Sequence, residues 1–187
     1  MAASMTAPIA ATRAWFEKAV IGLNLCPFAK AVHSKGQIRW VLSDAQDAEA
    51  LLLEVLAEMK TLAAADPQTV DTTLIVHPQV LQDFGDFNDF LDIADAALEQ
   101  LGLQGTLQVA SFHPQYRFAG TRSADLGNNT NRSPHPTLQL LREDSVARAV
   151  AAFPQAETIY ERNIATLRKL GRGGWSKLMA EAMPDQG

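Results

Sequence analysis

Between residues 37 and 112, short apolar runs alternate with longer amphipathic stretches, and this order restricts the fold more than any other feature of the chain. Residues 37–42 carry Ile38, Trp40 and Leu42 on one side and Val41 on the other, which predicts a short strand. Ser43-Asp-Ala-Gln46 has the form of a capping box that opens a helix to about Leu62, with Ala48, Leu52, Val55, Met59 and Leu62 as its buried stripe. Residues 72–76 are a continuous apolar and β-branched run, of the kind buried on both faces of a sheet. Asp83 or Asp86 caps a further helix to about Leu101, with Phe87, Leu91, Ala94, Leu98 and Leu101 turned inward. Residues 106–112 alternate again. Strand, helix, strand, helix, strand in that order predicts consecutive parallel β-α-β units.

The remaining segments extend this plan. Residues 12–24 place Trp15, Phe16, Ala19, Val20 and Leu23 on one helical face. Residues 113–134 show no periodicity and are rich in Gly, Asn, Ser, Thr and Arg, a length of loop that is usually functional or mobile. A helical pattern returns from Pro136 to about Ala152, and a last helix runs from about Thr158 to Leu170, ending at Gly171. The expected fold is α/β: a single domain over residues 12–187 with a short, mostly parallel sheet and additional C-terminal helices. Residues 1–11 read as a disordered tail.

Composition narrows the class of function. A net charge of -5 argues against a general nucleic-acid binder or a polybasic membrane-surface protein. No apolar run approaches the roughly 20 residues of a membrane span. With one cysteine, Cys26, there is no internal disulfide framework, so a cytoplasmic protein is expected. The chain holds no Walker loop, dinucleotide glycine fingerprint, G-x-S-x-G elbow or CxxC pair, and no cofactor is indicated.

Three sets of residues offer chemistry. Cys26 stands before Pro27, which favours the first position of a helix, so the thiol is expected at an N-cap where amide N–H groups and Lys30 favour the thiolate. The alternative is an inert thiol packed between Leu25 and Phe28. His77 and His113 each follow a strand and precede a proline, which places them at the carboxyl edge of a parallel sheet, where α/β proteins bind ligands. The third set is the loop. From His113 to Arg142, four arginines (Arg117, Arg122, Arg132, Arg142) face one acid, Asp125, a net +3 that leaves -8 elsewhere. Arginine forks with Asn131 and Ser133 among them suit a carboxylate or phosphate. The other reading is a solvated loop tied down by its arginines.

Asn24-Leu-Cys-Pro-Phe-Ala29, Leu74-Ile-Val-His-Pro78, Ala110-Ser-Phe-His-Pro114 with Tyr116, Phe118 and Gly120, and Asn131-Arg-Ser-Pro134 leading to Leu140-Leu-Arg-Glu-Asp-Ser145 together resemble a bacterial family, domain of unknown function 1415. The resemblance covers nearly all of the chain after Thr12. It implies a single-domain bacterial protein and brings no activity with it.

The residues therefore support three expectations. The first is a thiol-dependent enzyme for a small anionic substrate, with Cys26 as nucleophile or redox thiol and His113 as its base. Arg117, Arg122, Asn131, Arg132, Ser133 and His77 would bind that substrate. The second is a non-catalytic binding or regulatory module for a phosphorylated metabolite or acidic partner. The third is a metal enzyme with Cys26, His77 and His113 as ligands.

Overall fold

The computed structural model describes residues 7–183. Helix α1 (Ala7–Trp15) runs into a π-helical segment (Phe16–Ile21), followed by α2 (Ala29–Ser34), β1 (Ile38–Leu42), α3 (Ala48–Ala64), β2 (Thr72–Val76), α4 (Phe84–Gln100) and β3 (Leu107–Phe112). A 3-10 segment (Leu126–Asn131) lies in the long loop, and then come β4 (Thr137–Arg142), α5 (Glu143–Ala152), a 3-10 turn (Ala156–Thr158) and α6 (Ile159–Ala182). Of the expected N-terminal tail, residues 1–6 lie outside the described residues. Ala7 to Ala11 are instead helical, and Ile9 is buried among them.

The four strands form one sheet in the order β1-β2-β4-β3. β1 and β2 pair in parallel, as the β-α-β reading predicts, with Trp40 opposite Leu74. β4 then stands between β2 and β3, antiparallel to both. The sheet is therefore mixed rather than mostly parallel, and the α4 crossover leaves a gap that β4 fills. The expectation failed at residues 136–142, read as the start of a helix. Leu138 and Leu141 sit at helical spacing, but Leu138 and Leu140 point to one face of the sheet while Gln139 and Leu141 turn to the other.

Each face of the sheet has its own core. On one, Ile75, Leu107, Leu138 and Leu140 meet Leu51, Val55, Met59 and Leu62 of α3 and Phe87, Phe90, Ala94 and Leu98 of α4. On the other, Leu74 meets Trp15, Phe16, Ala19 and Val20 from the N-terminal helices and Leu167 and Ala182 from α6. Fully burying each large apolar side chain stabilises the fold by roughly 1.5–3 kcal/mol. β2 is buried at every position, in keeping with its unbroken apolar sequence.

Local signals set the helix boundaries. Asp83 caps α4, its Oδ1 accepting from the N–H groups of Gly85 (2.7 Å) and Asp86 (3.1 Å). α3 starts later than its expected capping box. Ser43 Oγ accepts from Ala45 N, and Asp47 caps the helix through Ala50 N at 2.8 Å. α6 continues beyond the expected stop: Gly171 takes a left-handed φ of 72°, bends the helix, and the chain resumes helical structure to Ala182. Among the described residues no helix is long and apolar enough to cross a membrane.

Candidate functional site

The turn that carries Cys26 is built by backbone geometry. The π-helical segment ends with Gly22 N donating to Glu17 O (3.0 Å), Asn24 takes a left-handed φ of 53°, and the N–H groups of Leu25 and Cys26 both return to Val20 O. From α6, the buried Asn163 donates through Nδ2 to Leu25 O at 2.9 Å and fixes the turn from behind. Pro27 and Phe28 follow, and α2 begins at Ala29.

This turn forms one wall of a cavity of about 560 Å3 on the face of the sheet shared with α1 and α6. Its floor is Gln108, Ala110, Gln139, Leu141 and Thr72. Opposite the floor stands α5, which presents Val146 and Ala149. No residue of α5 is buried, although the helix is amphipathic. Phe28 and Phe153 meet edge to face at 6.0 Å where the Cys26 turn approaches the end of α5. Arg162 stacks its guanidinium over the Phe153 ring at 5.7 Å.

Polar groups are few in this cavity and most are partly committed. Thr72 Oγ1 donates to Leu140 O (2.7 Å) and accepts from Gln139 Nε2 (3.1 Å). Asn131 Nδ2 donates to Ser111 O at 3.0 Å. Each of these amides keeps its oxygen without a partner among the described residues. Asp71 accepts from Ser145 Oγ, which in turn accepts from Arg148 Nη2 at 3.1 Å. Among the described residues Arg142 is the one cation on the wall; it is buried, with its Nε and Nη2 donors turned to backbone carbonyls. Its Nη2 donates to Leu62 O, Ala65 O and Val70 O, closing the carbonyl end of α3.

Burial pushes the Cys26 thiol pKa up, and the N–H groups of Phe28 and Ala29 that approach the sulfur lower it by less. Cys26 is not the expected N-cap, since the cap falls at Phe28 and the helix begins at Ala29; amide contacts reach the sulfur, but desolvation outweighs them and the neutral thiol is favoured.

The two histidines occupy another place and do another job. His77 is fully buried, stacks on Phe87 at 5.7 Å, and sets Nδ1 3.1 Å from Val80 O. Nδ1 therefore carries the proton, and Nε2 is left buried with no partner among the described residues. Burial, with the neighbouring His113, lowers its pKa to about 4. His113 packs on Phe87 at 4.9 Å and on Phe84 at 5.4 Å. Its Nδ1 accepts from Gln115 N (3.0 Å) and its Nε2 donates to Leu81 O (3.1 Å). Both nitrogens are occupied by backbone, so this neutral ring has no lone pair left for a base. Together the imidazoles hold the turn after β2, where Leu81 adopts a strained φ of 58°.

Phe87 belongs to the core between the sheet and α4, whereas Cys26 packs in the cluster on the opposite face. The expected Cys26–His113 pair is thus not brought together. The structure joins Cys26 with Asn131, and His77 with His113. It places Arg132 and Ser133 in a separate hollow beside α6. Arg117 and Arg122 lie exposed on the loop. Ser133 is buried and donates to His135 O at 2.6 Å. Among the described residues no three His, Cys, Asp or Glu side chains are grouped to hold a metal ion, so Cys26, His77 and His113 do not form the metal site considered above. Residues missed by sequence reasoning are Ala110, Gln139, Val146, Ala149 and Asn163. Ala110, a small residue in a strand of larger ones, was the available signal.

Fold and site together define an α/β protein with a ligand-sized cavity between a mixed sheet and a thinly packed helix. Over residues 7–177 the sequence matches the family described as "Protein of unknown function (DUF1415)", and the chain belongs to it. No curated protein matches the chain, and no solved structure does.

Proposed function

We propose that this protein binds an uncharged, largely apolar small molecule in the cavity between the sheet and α5. The observation that carries this reading is α5 itself: an amphipathic helix with no buried residue, whose apolar side faces a cavity of about 560 Å3 rather than a packed core. Binding cavities have volumes of roughly 300–1,000 Å3 and combine apolar walls with a few polar groups. The free amide oxygens of Gln139 and Asn131 and the carboxylate of Asp71 would receive hydrogen-bond donors from the ligand. An anion would meet the Asp71 carboxylate on this wall, and Arg142 already turns its Nε and Nη2 donors to the carbonyls of Leu62, Ala65 and Val70.

Alkylation of Cys26 tests this reading. Iodoacetamide should react slowly with the native protein near neutral pH, because burial favours the thiol. Saturating N-phenyl-1-naphthylamine, an uncharged apolar probe, should slow the reaction by a further factor of about ten, as occupancy of the wall predicts. An alkylation rate indifferent to the probe would contradict the assignment.

Thiol-dependent chemistry is the second reading, favoured by the sulfur at the cavity wall with the Phe28 and Ala29 amides directed at it. The two readings part at Cys26→Ser. Binding predicts probe affinity within about twofold of the parent, since a conservative wall change is worth little. Thiol chemistry predicts loss of all turnover of any substrate found.

A further inference from the structure

We infer a second binding site, separate from the sheet cavity, in the hollow between the 113–136 loop and the bent helix α6, and we assign it an oxyanion carried on an apolar or aromatic body. The hollow has a volume of about 430 Å3 and is lined by Arg132, Arg172, Ser123, Ser176 and Trp175 among others, with no carboxylate among the described residues. That is far more room than a bare phosphate fills, so the anion must bring a body with it. Trp175 and Met179 supply an apolar wall for that body.

Arg132 is the first sign of a missing negative charge. Its Nε donates to Tyr116 O (3.0 Å), Nη2 to Ser123 O (2.8 Å) and Nη1 to Asn129 Oδ1 (3.3 Å). All three acceptors are neutral. A guanidinium has five N–H donors, so two remain free on a half-buried cation that no carboxylate among the described residues balances. The same bonds hold the fork rigid, which lowers the entropy lost when an oxyanion docks.

Arg172 is the second. It is exposed, has no acidic partner among the described residues, and lines both this hollow and an adjoining one of about 340 Å3. Arg168, likewise without an acidic partner, lines the adjoining space. The carboxylate there, Asp125, already accepts from Arg122 N at 2.9 Å. The bend at Gly171 is what sets Arg172 and Trp175 on the hollow together.

The charge of the whole chain agrees. Residues 113–136 carry a net +2 and α6 a net +3, against -10 for all other residues. Such a basic face on an acidic protein attracts anions to this side.

Thermal unfolding with phenyl phosphate as the probe tests the inference, with sodium chloride of equal ionic strength as the reference. Phenyl phosphate should raise the melting temperature saturably, and inorganic phosphate should bind several-fold more weakly, as the apolar wall requires. Arg172→Ala should weaken phenyl phosphate binding about tenfold, the loss expected for a charge-assisted hydrogen-bond donor. Ser176→Glu, which adds a negative charge to the same wall at an exposed position, should abolish it. Ala110→Trp, on the floor of the sheet cavity, should leave it unchanged. No saturable shift beyond the sodium chloride reference would overturn the site, as would a shift preserved in Arg172→Ala and Ser176→Glu. Equal binding of both phosphates would overturn the apolar body, and loss of binding in Ala110→Trp would overturn its separation from the cavity.

Discussion

A proton added to the His77 ring meets no counter-charge among the described residues. The imidazole is fully buried against Phe87, its Nε2 has no partner, and His113 brings a second buried imidazole beside it. The folded pKa of about 4 lies below the unfolded value near 6.5, so between these limits the unfolded chain binds the proton more readily. Stability from this group is complete above about pH 6.5 and is lost as pH falls through about 4. Near pH 4.5 the loss should reach about 2.5 kcal/mol. Urea denaturation at about pH 7 and about pH 4.5 measures it against His77→Asn, whose amide can still donate to Val80 O. The variant should lose about 2 kcal/mol less than the parent between the two conditions. An equal loss in both proteins would show that His77 is not the buried neutral ring described here.

At the scale of elements, α3 depends on a strand residue. Arg142 at the end of β4 takes up the Ala65 carbonyl at the helix C-cap and shares the Leu62 carbonyl with Ala65 N. Arg142→Met should cost about 3 kcal/mol in chemical denaturation, because the Ala65 and Val70 carbonyls lose their side-chain donor at once. A loss under about 0.5 kcal/mol would mean that water replaces the guanidinium without penalty. β4 is also the element that sequence reasoning missed. β1, β2 and β3 were legible because their runs are short and bounded, and α4 because Asp83 caps an apolar stripe. In residues 136–142, Pro136 suits a helix start and Leu138 and Leu141 suit a helical face, so the local pattern supports both structures. Only the open position between β2 and β3 decides for the strand, and that is a tertiary fact. The same limit applied to the site. Cys26 and Asn131 stood out by chemistry, whereas Ala110, Val146 and Ala149 shape the cavity by being small or apolar. His77 and His113 were placed correctly at strand ends, but strand-end position does not tell whether a ring faces ligand or core.

On the scale of the whole molecule, the sheet separates two environments. The side covered by α4 is acidic: Asp86, Asp89, Asp92, Asp95 and Glu99 share that helix with no lysine or arginine. The histidines and the core built on α3 and α4 lie on this side, which the structure uses for stability. The other side carries the Cys26 turn, the cavity under α5 and the arginines of α6. The sheet cavity lies on one side of the sheet and the α3–α4 core on the other, so a residue on the cavity floor can be enlarged without disturbing that core. Ala110 is that residue. Fluorescence titration of the parent protein and Ala110→Trp with N-phenyl-1-naphthylamine tests the central claim most directly. The parent should bind one probe per chain saturably, with a dissociation constant on the order of micromolar, and Ala110→Trp should fold and fail to bind. Absence of saturable binding to the parent, or undiminished binding to Ala110→Trp, would contradict the assignment of the cavity as the ligand site.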